Sequence, residues 1–379
     1  MRCRVPGMSL RSIRQDLVRS FSDAYNPVMP THLNDFALDA VTPLEAGTRS
    51  ALGLLRVSGA DAGSFLQGQL TQDVQGLPEG QARWAGYCSP KGRLTASGRL
   101  WRSGGQFWWA VSADLMAPLA KRLSMFVLRA KAKVEDVSGQ WVVLGVMGAQ
   151  AHRDVAHWMQ GADGATSLGP QEVRTQGERA MWVGLPVVQV GPQDNTALAR
   201  SMLFVDRSLL ESLPQAWLDA SDQHQAAWAM AEVLAAVPRI MAQTAECFVP
   251  QMVNFESVDG VSFTKGCYPG QEVVARSQYL GKLRRRMFLG EGRGSLPAPG
   301  SDIFSRGQAE AVGQVVMSAP AGDGFVLMFE CRTDLVAQDA LYAGTQRGED
   351  GDAGSPPEGS LEPSPLKLIP LPYALKAQD

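Results

Sequence analysis

The stretch Lys265-Gly266-Cys267-Tyr268-Pro269-Gly270-Gln271-Glu272-Val273-Val274-Ala275-Arg276 decides how this chain is read. A thiol, an amine, a carboxylate, an amide, a phenol and a guanidinium fall within twelve residues, and packing alone does not collect such a set. Gly266 and Gly270 allow the backbone to turn sharply or to approach another group closely. A neighbouring ammonium favours thiolate over thiol, so Lys265 marks Cys267 as a candidate reactive cysteine. The competing reading is an inert buried thiol, the commoner fate of a single cysteine. Glu272 and Arg276 stand four residues apart, a spacing that on a helix places them on one face as an ion pair.

Other blocks surround this one. Val57-Ser58-Gly59-Ala60-Asp61 leads into Phe65-Leu66-Gln67-Gly68-Gln69-Leu70-Thr71-Gln72-Asp73-Val74, and Tyr87-Cys88-Ser89-Pro90-Lys91-Gly92-Arg93 follows. Pro250-Gln251, Asn254 and Gly260-Val261-Ser262-Phe263 precede the cysteine stretch; Gly281, Arg284 and Arg285 come after it, and Pro370-Leu371-Pro372-Tyr373 lies near the end. Together, over roughly Leu52 to Tyr373, they resemble the YgfZ family, folate-binding relatives of the glycine-cleavage aminomethyltransferase. Two positions depart from its pattern. Pro269 replaces the usual Thr and removes a backbone donor, and Leu280 stands where a basic residue is common.

The resemblance implies an α+β, GcvT-like multidomain fold, with a ferredoxin-like portion and a C-terminal β-barrel around a central folate cleft. It divides the chain into a flexible N-terminal extension (1–46), a folate-binding region of two interleaved α+β subdomains (47–282), and the barrel (283–379) with a disordered acidic loop at 345–365. Tetrahydrofolate or a derivative is the implied cofactor. Cys267 is then the reactive thiol near the cleft, tuned by Lys265, with Glu272 and Arg276 fixing the loop. Trp228, Lys91, Arg93, Tyr268 and Gln271 are the implied folate contacts, although a tryptophan on a helix is as readily core. Leu52 takes the place of a second tryptophan that the family often carries.

The implied role is support of iron–sulfur cluster assembly or repair, with reduced folate and iron–sulfur assembly or client proteins as partners. The link to transfer RNA modification is then indirect, through cluster-containing enzymes. The aminomethyltransferase relatives carry a catalytic carboxylate just after the glycine turn of the second block. Here that run, Lys91-Gly92-Arg93-Leu94-Thr95-Ala96-Ser97, holds no acid. This favours an accessory factor over the alternative, a folate-dependent one-carbon transferase, which needs a substitute such as Asp73 or Glu272 to handle a proton. A third reading has Lys282, Arg284, Arg285 and Arg286 binding RNA phosphates, against solvated or ion-paired side chains on a barrel strand.

Composition sets the outer limits. The chain has 379 residues, 45% hydrophobic and 19% charged, enough for two or three packed units with real cores. A net charge of -3 gives no global attraction to nucleic acid. No apolar run reaches the ~18 residues that span a bilayer. Cys3, Cys88, Cys247, Cys267 and Cys331 are odd in number and contain no C-x-x-C pair, which argues against a disulfide framework or a metal cage and for a reducing, cytoplasmic setting. His32, His152, His157 and His224 lack metal-ligand spacing, and no metal site is expected. The arginine-rich start superficially resembles a mitochondrial presequence, but Asp16 and Asp23 weaken that reading. Met1, Met8 and Met29 are possible starts.

Hydrophobic pattern predicts strands at Leu52–Val57, Trp84–Cys88, Leu94–Trp101, Trp141–Met147 and Met181–Val190. It predicts helices over 61–67, around Leu115–Val127 and over Asp222–Ala235, the last stopping before Pro238. Short apolar runs at 287–289, 311–317 and 324–331 are expected as barrel strands.

Overall fold

The computed structural model describes residues 39–44, 48, 50–159, 168–190, 196–219, 221–279, 283–306, 308, 310–336, 341–344 and 365–376. Residues 1–38 of the expected extension, residues 345–364 of the expected acidic loop, and Leu280, Gly281 and Lys282 lie outside the described residues. The end of the expected extension is ordered structure. Ala40–Pro43 forms strand β1, fully buried and paired antiparallel with residues 144–147. The boundary drawn at residue 46 is corrected accordingly: Val41 and Thr42 supply buried surface that a solvated tail does not.

Strands β2 (Leu52–Ser58), β3 (Ala82–Cys88), β4 (Leu94–Ser103), β5 (Gln106–Ser112) and β6 (Lys133–Asp136) form an antiparallel sheet in the order β3-β4-β5-β2-β6. Helices α1 (Ala62–Gln67) and α2 (Met116–Met125) belong to the same stretch of chain. A second sheet, ordered β1-β7-β10-β9-β8, adds β7 (Trp141–Met147), β8 (Val173–Gln176), β9 (Ala180–Val190) and β10 (Thr196–Asp206), with α3 (Ala149–Trp158) after β7. Helices α4 (Gln215–Leu218), α5 (Asp222–Leu234) and α6 (Gln271–Tyr279) lead to a third sheet. It contains β11 (Arg285–Arg293), β12 (Asp302–Ser305), β13 (Gly313–Ala321), β14 (Gly324–Arg332), β15 (Leu341–Ala343) and β16 (Lys367–Ile369), ordered β15-β12-β13-β14-β11-β16 and curled into a half-barrel. The fold class is α+β, as expected.

Strand alternation explains how the second sheet serves two cores. On β7, Trp141, Val143 and Met147 join the large central core, while Val142, Leu144 and Val146 face a smaller one that includes Val155 and Trp217. Each fully buried side chain of this size contributes ~1.5–3 kcal/mol. On β10, Leu198, Met202 and Phe204 face the central core, Leu203 and Val205 the other. Arg200 sits between Leu198 and Met202 at the inward-facing parity, and that position governs the site described below.

Helix α5 occupies the middle of the molecule. Ser221 caps its N-terminus by accepting from the His224 amide at 3.1 Å. Ala227, Trp228, Met230, Ala231 and Leu234 are buried, and the helix touches β1, β13 and β14. It ends where Ala236 adopts φ +53° ahead of Val237-Pro238. The Trp228 ring lies against Gly145, where an added Cβ would stand 2.6 Å from it. No described helix is long and apolar enough to cross a membrane.

Candidate functional site: a cysteine loop and a charged passage

Several of the blocks quoted from the sequence meet at one loop. Lys265 reaches back to the end of α1, where its Nζ donates to the Gln67 carbonyl and, at 2.6 Å, to that of Leu70. An ammonium at a helix C-terminus satisfies orphan carbonyls. Burial nonetheless pushes the Lys265 amine down to about 8, against the pull of Asp73 and Cys267. Thr71 Oγ1 donates to the Gly260 carbonyl at 2.6 Å and accepts from the Gly86 amide at 2.8 Å. Gln251 Nε2 donates to the Val274 carbonyl and Asn254 Nδ2 to the Met287 carbonyl, both at 2.8 Å, which ties α6 and β11 to residues 250–254.

Two glycines close the arrangement. Gly92 (φ +72°) turns the β3–β4 hairpin, and Gly270 (φ +78°) leads into α6. A Cβ on Gly270 would stand 2.4 Å from the Ser89 carbonyl oxygen and 2.6 Å from Gly92 Cα. Only glycine meets both the backbone angle and the contact.

Between these fasteners Cys267 is exposed. Burial pushes the Cys88 thiol up to about 12 and that of Cys331 to about 11, so neither is a ready nucleophile. Cys247 is half-buried and its thiol is raised by burial, with Arg93 opposing. Tyr268 is buried under Lys265, whose Nζ lies 5.0 Å from the ring centroid. Glu272 and Arg276 both lie exposed on α6, as the spacing predicts, but among the described residues no ion pair joins them. Gln271 opens the helix and is half-buried. Lys91 is exposed on the hairpin turn, and Arg93 donates to the Glu246 and Cys247 carbonyls.

Three adjoining cavities with shared lining residues, together called the passage, lie beside this loop. Its outer mouth, about 780 Å³, is lined by Trp84, Arg83, Val261, Phe263 and Tyr373 among others. It shares Trp84, Arg99 and Pro186 with a waist of about 50 Å³. Across the waist, Glu232 and Arg239 are shared with an inner mouth of about 470 Å³. Pro186 cannot donate to the ladder, and the β9–β10 register shifts beside it. Leu52 lines the waist. Trp228, expected as a folate contact or as core, is 1% exposed and packs in the central core; it borders a side cavity of about 260 Å³.

The waist is charged. Arg99 is 3% and Arg200 4% exposed. The Arg99 guanidinium lies 4.8 Å from the Trp84 ring, and that of Arg200 lies 4.8 Å from Trp228. Burial lowers them to about 9 and about 10, so both remain cationic at neutral pH. Arg239 pairs with Glu232 at 3.4 Å, and Ser50 Oγ also donates to Glu232. Glu232 is the carboxylate lining the waist, and sequence reading missed it. The two acids it offered lie elsewhere: Asp73 accepts from Gln67 at 3.0 Å and faces Arg83 at 3.8 Å, and Glu272 is on the exposed face of α6.

Cys267 is not among the residues lining these cavities, although Ser262, Phe263 and Thr264 of the same loop line the outer mouth. Among the described residues of the basic run, Arg284, Arg285 and Arg286 do not form an open patch. Arg286 is buried on Glu256, Arg285 makes a two-pronged contact with the buried Glu330, and Arg284 alone of the three is exposed. The ion-paired reading holds for Arg285 and Arg286. His152 is a core residue, with Nδ1 2.6 Å from the Gly148 carbonyl and Nε2 3.0 Å from Ser201 Oγ.

Residues 48–174 match the GCVT N-terminal domain. The chain is 29% identical to the tRNA-modifying protein YgfZ of Cronobacter sakazakii, over 90% of this chain and 96% of that one. It is 30% identical to the protein of the same name in Vibrio vulnificus, over 75% of this chain and 83% of the relative. Among solved structures, the glycine cleavage system aminomethyltransferase T of Bartonella henselae aligns with 90% of this chain and 88% of its own, at a TM-score of 0.59 and 15% identity. That likeness concerns the fold.

Proposed function

The chain belongs to the YgfZ family, and on that premise we propose that it binds tetrahydrofolate or a derivative in the central passage and supports iron–sulfur cluster assembly or repair in the cytoplasm. The observation that carries the reading is the passage itself. It combines an aromatic and apolar outer mouth with buried cationic groups at its waist, as a flat heterocycle with an anionic tail requires. Its wall includes residues 261–264 of the loop that continues to Cys267. Folate and thiol therefore act side by side. Iron–sulfur assembly or client proteins meet the exposed Cys267, and the effect on transfer RNA modification follows through cluster-dependent enzymes.

Titrating the protein with tetrahydrofolate while following tryptophan fluorescence and the melting temperature tests this. Binding quenches Trp84 and raises the melting temperature by mass action. Absence of both changes with every reduced folate at millimolar concentration refutes the folate reading. A second reading, one-carbon transfer, is favoured by one observation, the Glu232 carboxylate at the waist. Sustained product formation from a methylene-donating folate and an amine, lost in Glu232→Gln, would establish it.

A further inference from the structure

We propose that the turn between α2 and β6 is a membrane-contact surface: Met125, Phe126 and Leu128 enter the interface of an anionic lipid bilayer, and the lysine and arginine side chains around them hold its headgroups. Exposure points to it first. Leu128 is 87%, Met125 67% and Phe126 47% exposed, so three of the seven large apolar side chains left exposed among the described residues fall within four positions. Single exposed apolar groups are ordinary, whereas a cluster of them marks a contact surface.

The turn is built to present them. Val127, Ala130 and Ala132 pack against the central core. The Phe126 amide donates to the Leu123 carbonyl at 3.0 Å and the Val127 amide to that of Ser124 at 3.2 Å, which closes the end of α2. Further along, the Lys131 amide donates to Asp61 Oδ2 at 2.7 Å, and the Asp61 amide to the Lys131 carbonyl at 3.1 Å. Both ends of the turn are tied down, so its outward side chains are positioned before any contact and little ordering cost remains.

Charge selects the occupant. Between Leu115 and Lys133 the chain carries Lys121, Arg122, Arg129, Lys131 and Lys133 and no acid, in a protein of net charge -3. Arg122 Nε donates to the Tyr87 hydroxyl at 3.1 Å, and Lys133 pairs with Glu135 at 2.7 Å. Lys121, Arg129 and Lys131 are exposed and form no ion pair among the described residues. Lys121 stands one turn before Met125 on α2, and α2 touches β6, which Lys133 opens. Cations therefore collar the apolar tip. A second copy of the same surface would set like charges against each other, and RNA phosphates would leave Met125 and Leu128 in water. An anionic bilayer receives both kinds of group, and it takes projecting apolar side chains without needing a matching pocket.

The test is flotation of the full chain with vesicles of equal parts phosphatidylcholine and phosphatidylglycerol, compared with vesicles of phosphatidylcholine alone. The native protein should bind the anionic vesicles at least about tenfold more tightly than the neutral ones. Leu128→Ser should weaken that binding about tenfold, and Arg129→Gln about fivefold at low salt. Both variants should keep the native melting temperature, since neither side chain is buried. No flotation with the anionic vesicles overturns the proposal. Flotation that Leu128→Ser leaves intact overturns it as well, because charge alone would then account for the binding. Self-association lost in Leu128→Ser, or transfer RNA binding lost in Arg129→Gln, in the absence of flotation, gives this face to a second copy or to RNA instead.

Discussion

The cysteine loop and the waist of the passage lie close together and are built on opposite principles. Around the loop, the donors and the glycine positions are mostly satisfied: Lys265 on two carbonyls, Thr71 between Gly260 and Gly86, Asn254 on β11, Gly270 against Gly92; the unmatched buried atoms there are the acceptors Gln251 Oε1, Glu256 Oε2 and Gln278 Oε1 and the Ser89 hydroxyl. The thiol is left outside. At the waist, the unmatched atoms are cationic donors: the Nε of Arg99 and that of Arg200 are enclosed without a partner, although Arg99 Nη2 reaches two carbonyls. A satisfied buried network rigidifies a shape, whereas a buried cationic donor without a partner carries a cost that a bound anion would offset. The loop's supporting residues therefore act on stability and the waist residues on binding.

The strongest way to break this contrast is at the base of the loop. Arg286 and Glu256 form a buried ion pair that also holds the Gln251 carbonyl. Arg286→Met leaves a buried carboxylate without its cation and should cost about 3–5 kcal/mol in denaturant unfolding. Gly270→Ala comes next. Its φ of +78° alone costs about 1–3 kcal/mol for a residue with a side chain, before the contact with Ser89 is relieved. Either variant with native stability would show that the loop is held in some other way.

At the waist the expectation inverts. Arg200→Gln should weaken tetrahydrofolate binding about tenfold or more, yet leave the melting temperature of the unliganded protein unchanged or raised. Removing an unpaired buried charge relieves a penalty, the usual exchange of stability for function. A large loss of stability in this variant would place Arg200 among the structural fasteners.

A smaller effect is written in pH. Burial lowers the Lys265 amine from 10.5 to about 8, so between those values the unfolded chain binds more protons than the folded one. The contribution of Lys265 is thus present above the unfolded value and lost as pH falls through about 8. Relative to Lys265→Met, the native protein should gain stability on going from pH 8 towards 10.5. The comparison with the variant is needed because Cys88, raised to about 12, contributes with the opposite sign. A flat difference between the two proteins contradicts the burial of the amine.

How much of this could be read beforehand follows the same division. The loop was legible because its chemistry is contiguous and its fasteners fall in compact blocks. The hairpin around Pro90-Lys91-Gly92 and helix α5 were legible too, through turn residues and an apolar run bounded by Pro238. Strand β10 was missed, because Arg200 and Ser201 interrupt the apolar pattern. Helix α3 was missed because it buries little beyond Ala151, His152, Val155 and Ala156. The waist escaped for a related reason: Arg99, Glu232, Arg200 and Arg239 come from separate elements, each alone among apolar neighbours. One trace was present. Ser97-x-Arg99-x-Trp101 and Leu198-x-Arg200-x-Met202 each put a cation at an inward-facing strand position, which a fold buries only when something pairs with it.

The most direct test of the account sets the two regions against each other in a single titration. Tetrahydrofolate is added to the native protein, to Cys267→Ser and to Arg200→Gln, and affinity is measured by calorimetry. Cys267→Ser should bind within about twofold of native, as expected for an exposed thiol outside the cavity lining, while Arg200→Gln should lose about tenfold or more. The reverse order, with affinity lost at the cysteine and kept at the arginine, would contradict the assignment of folate to the passage.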